Sequence, residues 1–123
     1  MRQLLLMAMS LLAALPSASA EVIDIYWSGD GRFSHKNAVP AGKFVEVCGK
    51  LPAGLKVSWD FESSIPMDFN VHYHVGKDAV FPTKLAAVTT AKDVLETKVV
   101  QDYCWMWSNK SAMTATFTIN MER

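Results

Sequence analysis

This 123-residue sequence has a formal net charge of zero and few long apolar runs. Twelve Lys and Arg side chains balance twelve Asp and Glu side chains, so no excess of one sign marks out a nucleic acid or another highly charged partner. After the first 20 residues, no stretch reaches the roughly 20 apolar residues that a membrane helix needs. The sequence therefore predicts no nucleic-acid partner and no membrane span.

Motifs of the common enzyme classes are also missing. The sequence has no nucleophile elbow, no glycine-rich phosphate loop, no HExxH metalloprotease motif and no Cys-x-x-Cys redox pair. Ser, His and Asp residues occur, but their spacing carries no triad signature, and triads are defined by geometry rather than by order in the chain. We therefore predict that the protein is not an enzyme.

The N-terminal segment MRQLLLMAMSLLAALPSASA, residues 1–20, has the three-part layout of a secretory signal peptide. Arg2 gives the positive start, Leu4–Leu15 the apolar middle and Ala18-Ser19-Ala20 the small-residue end, so we expect cleavage after Ala20. The short, plain signal is of bacterial type, which predicts a periplasmic protein. The mature chain, residues 21–123, is long enough for a single domain with one core.

Strict alternation of apolar and polar residues predicts half-buried β-strands along most of the mature chain. In residues 55–62 the apolar side holds Trp59 and Phe61, and in residues 67–75 it holds Phe69 and Val71. Residues 32–41 have an irregular pattern. Further strands are predicted at 22–27, 44–48, 103–107 and 114–121. The predicted fold class is all-β, an antiparallel β-sandwich of about seven to eight strands.

Three segments resemble the GOLD (Golgi dynamics) domain, a β-sandwich family; they are residues 39–61, 67–76, and 103–109 with 114–120. The family's G…W-x-F strand is matched by Gly54, Trp59 and Phe61, and its second strand more loosely by DFNV at 68–71. Its aromatic strand closed by an asparagine is matched by YCWMWSN at 103–109. The resemblance implies a GOLD-like sandwich but little about function, because one fold carries many functions.

Cys48 and Cys104 are the two cysteines of the sequence. In an oxidising compartment such a pair most often forms a disulfide, which the chain-entropy argument values at about 4 kcal/mol. GOLD members that act as cargo receptors carry a disulfide whose second cysteine lies three residues before the asparagine. Here Met106 holds that position, and Cys104 lies two residues earlier on the same face. The two cysteines are therefore either bridged or free to bind a metal.

A metal site is predicted on the polar side of the strand FNVHYHV, which carries His72 and His74. The same alternation turns Cys104 and Met106 outward on strand 103–107, and Cys48 outward on strand 44–48. Two imidazoles at positions i and i+2 are about 6.6 Å apart along a strand and can converge on one ion. We predict His72, His74, Cys104 and Met106 as metal ligands, with Cys48 as an additional ligand if the thiols are free. Sulfur with imidazole favours Cu(I), and a carboxylate in the set would favour zinc.

Two functions of different class follow from these observations. The main prediction is a small periplasmic metal-binding protein, for copper rather than zinc, that serves storage, delivery or tolerance. The alternative is a GOLD-like interaction module with no metal, whose Cys48–Cys104 disulfide stiffens one sheet and whose polar strand face contacts a protein partner in the periplasm. The metal site requires strands 67–75 and 103–108 to be neighbours.

Overall fold

Residues 20–123 are the part of the chain that the computed structural model describes, and β-strands make up most of it. The predicted signal peptide lies, apart from Ala20, outside these residues. No helix occurs among residues 20–123, and hence none that is long and apolar enough to cross a membrane. In chain order the strands are β1 Ala20–Asp24, β2 Arg32–Val39, β3 Phe44–Leu51, β4 Lys56–Val75, β5 Asp78–Glu96, β6 Gln101–Ser108 and β7 Ala115–Glu122.

The seven strands form one curled sheet in the order β1-β3-β6-β4-β7-β2, with β5 beside β4. β4 is 20 residues long and changes neighbour along its length, because residues 58–63 pair with β7 and residues 68–72 pair with β6. The curl folds the sheet into two layers. We call β2, β7 and the first half of β4 the β2 layer, and β1, β3, β6 and the second half of β4 the β1 layer. β5 pairs with β4 along both of its halves and therefore belongs to both layers.

Large aromatic side chains fill the space between the two layers. Trp107 on β6 stacks on Phe117 on β7 with ring centroids 3.8 Å apart, and it meets Phe61 on β4 edge-on at 5.5 Å. All three side chains are almost fully buried. Because they come from both layers, aromatic burial holds the layers together, as in other sandwiches. The predicted β-sandwich and its inward aromatic faces are confirmed.

One strand pair departs from the predicted antiparallel arrangement. β1 runs parallel to β3, with Ile23 opposite Val47, while the other pairs are antiparallel. The reason lies in the connection: the chain leaves β1, forms β2 in the other layer, and then returns to the β1 layer as β3. A return of this kind is a crossover, and a crossover allows two strands to run parallel.

The predicted strand bounds need two corrections. The expectation of irregular structure at 32–41 was wrong, because residues 32–39 form β2. β2 has low apolar content because it lies at a sheet edge, where its inward side chains Phe33, His35 and Asn37 are only partly buried. The separate strands expected at 55–62 and 67–75 are one strand, β4, that keeps its alternation through Pro66.

β5 is an edge strand that pairs with β4 alone among the described residues. Most of its side chains are exposed, and it carries Pro82, Lys84 and Lys92, which are residues that protect edge strands from further pairing. Its register against β4 shifts near His72, where an extra residue of β5 bulges out and brings Phe81 close to the histidine. β5 thereby covers part of the β1 layer from outside.

Candidate functional site

Cys48 and Cys104 are joined by a disulfide, and the described residues contain no free cysteine. The two residues lie directly opposite each other on β3 and β6, with Cα atoms 4.2 Å apart. Both side chains point to the outer face of the β1 layer, which is the side away from the aromatic core, and both are half-buried there. The disulfide that the sequence favoured is confirmed, and in this state neither sulfur is a thiolate that a metal ion could bind.

His72 lies next to this disulfide, because β4 is the neighbour of β6 on the other side from β3. The register places His72 opposite Cys104, so Cys48, Cys104 and His72 form one row across three strands. The structure therefore brings together strands 67–75 and 103–108, as the metal prediction required. It also buries His72 to 4% exposure, although the alternation places it on the outward side.

The buried imidazole of His72 has a polar partner at each ring nitrogen. Its Nδ1 lies 2.6 Å from Oδ1 of Asn70, and its Nε2 lies 3.3 Å from Oε1 of Glu46. Glu46 is on β3, diagonally across β6 from His72, and its side chain is only 17% exposed. The ring of Phe81 lies 5.9 Å from the His72 ring and shields it from outside. His72 is therefore a partnered, buried group and not surface decoration.

The predicted metal ligands are brought together only in part. His74 is exposed, with its ring 5.1 Å from the His72 ring, and Met106 lies between Glu46 and Asn70 in the register. The ligand atoms of Glu46, His72 and Cys104 lie within 4.8 Å of one another. The metal site stays a prediction, and the sulfur of Cys104 is held in the disulfide.

Glu46 is the residue that sequence reasoning left out of the ligand set. The alternation of residues 44–48 places it outward, two positions before Cys48 and on the same face. Its nearness to His72 depends on the strand order β3-β6-β4, which no local pattern encodes. The signal available in the sequence was the spacing of Glu46 and Cys48, two residues apart on one outward face.

A groove crosses the outer face of the β2 layer. It consists of two adjoining hollows of about 640 and 630 Å³, and both are lined by Asp60, Lys92 and Asn120. A hydrogen-bond chain crosses its floor, in which Ser34 Oγ donates to Asn120 Oδ1 at 2.7 Å and Asn120 Nδ2 donates to Asp60 Oδ2 at 3.4 Å. This chain links β2, β7 and β4. No pattern in the sequence indicates the groove, because the groove depends on the curl of the sheet.

Carboxylates outnumber cations along this groove. It is lined by the acids Asp60, Glu62, Asp93 and Glu122 and by the cations Arg32 and Lys92. Nε of Arg32 lies 3.6 Å from Oδ2 of Asp30, which is outside the groove. Glu62 and Glu122 are exposed on β4 and β7 and have no ion-pair partner among the described residues. The groove is therefore a net acidic, water-accessible concavity.

Asp68 is the acid with a shifted pKa nearest the His72 cluster. The backbone N–H of Ala87 donates to its Oδ1 at 2.9 Å, and this hydrogen bond, with help from Lys110 at 3.4 Å, lowers the pKa of Asp68 below its ordinary value. Ala87 has a positive φ of 49°, at the bend of β5. Asp68 therefore fastens β5 to β4 at the point where both strands pass from one layer to the other.

No family model matches the chain, and no curated protein matches it in sequence. Several solved structures share its fold. PliG from Aeromonas hydrophila, a periplasmic inhibitor of g-type lysozyme, aligns with a TM-score of 0.59 at 10% identity over 84% of this chain and 96% of that one. The Yersinia pseudotuberculosis-derived mitogen aligns with a TM-score of 0.58 at 12% identity over 76% and 86%.

A third structure of like fold is the pre-peptidase C-terminal domain of a collagenase from Bacillus anthracis, with a TM-score of 0.55 at 9% identity over 89% of this chain and 100% of that one. None of these three is named as a GOLD domain, so that relationship stays a prediction. At such identities the likeness establishes the fold alone. The chain is similar to a group of small β-fold proteins that includes periplasmic inhibitors.

Proposed function

We propose that this chain is an exported protein-binding module and not an enzyme, and that it takes a basic segment of its partner into the acidic groove of the β2 layer. The observation that carries the proposal is the groove itself, which joins a concave shape to an excess of carboxylates. Concave surfaces with a few polar groups at fixed positions are where proteins usually bind ligands, and grooves also bind extended or helical peptide segments of protein partners. This proposal develops the interaction alternative, but moves the contact surface from the histidine face to the opposite layer.

The charges of the groove favour a cationic partner. Glu62 and Glu122 form no ion pair among the described residues, and the two cations of the groove, Arg32 and Lys92, are outnumbered by its four carboxylates. A Lys- or Arg-rich loop of a partner would supply the missing opposite charges. Complementary charges of this kind raise the association rate and select the partner, and salt screens them over about 10 Å.

Two further observations support a protein partner outside the cytoplasm. The first 20 residues have the layout of an export signal. Of the proteins with a similar fold, PliG from Aeromonas hydrophila is a periplasmic inhibitor of another protein, a g-type lysozyme. A g-type lysozyme is therefore the first partner to test for this chain, and the test must stand on binding rather than on fold likeness.

Binding to the groove can be mapped with a tetralysine peptide by following backbone amide chemical shifts of the mature protein. We expect shifts concentrated in β2, β7 and the first half of β4, around Asn120 and Glu62. The Cys48–Cys104 region on the opposite layer should not respond. No shift, or shifts spread evenly over both layers, would remove the groove as the binding surface.

Affinity for a g-type lysozyme then decides the partner. Glu62→Lys and Glu122→Lys should each weaken binding roughly fivefold or more at low salt, because each places a like charge against the basic segment. The matched control is Asp102→Lys, which makes the same charge change on an exposed residue of the β1 layer. If both groove variants bind the lysozyme as tightly as the wild type does, the groove is refuted as the binding surface. Absence of lysozyme binding by the wild type would refute that partner.

A further inference from the structure

The His72 cluster raises a separate question, because its polar atoms face each other in a way that calls for a cation. Nδ1 of His72 lies 2.6 Å from a carbonyl oxygen, Oδ1 of Asn70, so the ring carries its N–H on that side. A neutral ring then turns the lone pair of Nε2 toward Oε1 of Glu46 at 3.3 Å. A lone pair and a carboxylate repel each other unless a proton or a metal ion lies between them.

The same arrangement is the one that prepares a histidine to bind a metal ion. Metal-binding histidines donate their other ring N–H to a carbonyl or carboxylate oxygen, which fixes the ring and leaves the free nitrogen for the ion. Asn70 does this for His72. Two ligands bound at about 2 Å in a tetrahedral zinc site lie roughly 3.3 Å apart. The distance between Nε2 of His72 and Oε1 of Glu46 is 3.3 Å.

Two cysteine sulfurs lie beside this pair, but while they form the disulfide they cannot bind a metal ion as thiolates. Sγ of Cys104 lies within 4.8 Å of the ligand atoms of Glu46 and His72. Cys48 is directly opposite Cys104 and two residues after Glu46 on the same face of β3. Both cysteines are half-buried on an outer face, where a small reductant can reach them. We propose that reduction of the Cys48–Cys104 disulfide opens a Zn(II) site whose ligands are Glu46, Cys48, His72 and Cys104.

The redox step balances with a dithiol as the reductant. The dithiol gives two electrons and two protons, the S–S bond between Cys48 and Cys104 breaks, each sulfur gains a proton, and the reductant leaves as its own disulfide. Zinc then displaces the two thiol protons and binds both thiolates. In the oxidised protein only Glu46 and His72 remain as ligands, so zinc binding is weak. The disulfide acts as a redox lock on the site.

This ligand set differs from the one that the sequence predicts, and it selects a different metal. Glu46 and Cys48 replace His74 and Met106. One imidazole, one carboxylate and two thiolates in a tetrahedral arrangement suit zinc, whereas the predicted set of thiolate, thioether and imidazole ligands, without a carboxylate, favoured Cu(I). His74 is exposed beside the cluster and provides a matched control for His72.

The test is zinc affinity of the mature protein, measured by competition with a chromophoric chelator in oxidised samples and in samples reduced with a dithiol that is removed under argon before metal is added. Reduction should tighten the zinc Kd roughly a hundredfold or more. Cobalt(II) added to the reduced sample should give a thiolate-to-metal charge-transfer band, which a carboxylate and imidazole site cannot produce. Equal zinc affinity before and after reduction, or a cobalt complex without that band, would overturn the proposal.

Variants separate the ligands from their neighbours. In the reduced protein, His72→Gln and Glu46→Gln should each weaken zinc binding at least about tenfold, whereas His74→Gln and Met106→Leu should leave it unchanged. The opposite result would return the site to the ligand set predicted from the sequence. Near-UV circular dichroism of the tryptophans reports folding in each sample. If the reduced chain unfolds and zinc does not restore the native spectrum, the redox-locked site is refuted.

Discussion

The disulfide between β3 and β6 should carry a large share of the stability of this protein. Cys48 and Cys104 are 56 positions apart in the chain, so the bridge closes a long loop in the unfolded state. The chain-entropy relation values such a closure at about 4 kcal/mol. A domain of this size is stable by about 5–15 kcal/mol in total, so a variant without the bridge should still fold but with a much smaller margin.

The perturbation is the double substitution Cys48→Ala/Cys104→Ala, studied by urea unfolding with tryptophan fluorescence as the signal. Trp105 and Trp107 lie on β6 next to Cys104 and are fully buried, so their emission reports loss of the core. We expect the free energy of unfolding to fall by about 4 kcal/mol and the Tm to fall by on the order of 20 °C.

Reduction of the wild-type protein provides the control for this experiment. It breaks the same bond but keeps both sulfur atoms in place, so the reduced protein and the double variant should agree to within about 1 kcal/mol in the absence of metal. The m-value should rise in both, because the unfolded chain without a cross-link exposes more surface. A loss below about 1 kcal/mol in both samples would refute the loop-entropy reasoning for this fold.

Two further predictions concern polar groups that fix the chain between strands. Asn109 is buried and donates hydrogen bonds from Nδ2 to the backbone oxygens of Val39 and Met113 at 3.0 and 2.6 Å. Asn109→Ala should therefore lower the free energy of unfolding, measured by urea titration, by about 2–3 kcal/mol. A loss under about 1 kcal/mol would contradict this role. The pKa of Asp68 is lowered by the N–H of Ala87, so its stabilising effect is present above the ordinary carboxyl pKa and is lost as the pH falls through the lowered value. Unfolding free energies measured from about pH 6 down to about pH 2 should therefore decrease less in Asp68→Asn than in the wild type, and parallel pH curves would contradict the assignment.

The sandwich could be predicted from the sequence because its core follows local alternation. Trp59, Phe61, Phe69 and Trp107 each lie on the inward side that period-two patterning assigns to them. Burial of one side of a strand is encoded within that strand, so the pattern is readable without knowing the neighbours. The disulfide was predictable for a simpler reason, since a sequence with only two cysteines allows one pairing.

Strand neighbours were not predictable, and the candidate sites depend on them. The long β4 keeps one alternation while it exchanges β7 for β6, so no change of pattern marks the passage between layers near Pro66. β2 looked irregular because an edge strand buries little on its inward side. The acidic groove forms only where four strands curl together, so the pattern of no single segment predicts it.

His72 shows the limit of alternation most clearly. The pattern of residues 67–75 correctly assigns it to the side away from the core, and a polar residue there would ordinarily be solvated. It is buried because Phe81 of β5 covers it and because Glu46 and Asn70 meet its ring nitrogens. Outward direction is a property of one strand, whereas exposure depends on every strand around it.

The two candidate sites share a strand but not a face of the fold. Glu62 in the first half of β4 lines the acidic groove, and His72 in the second half lies in the disulfide cluster. They are ten residues apart, roughly 33 Å measured along the extended strand, and they lie on the outer faces of different layers. β4 and β5 are the two strands that run through both layers, and Asp68 fastens them together at their bend. A coupling between partner binding and zinc binding would therefore pass through these two strands.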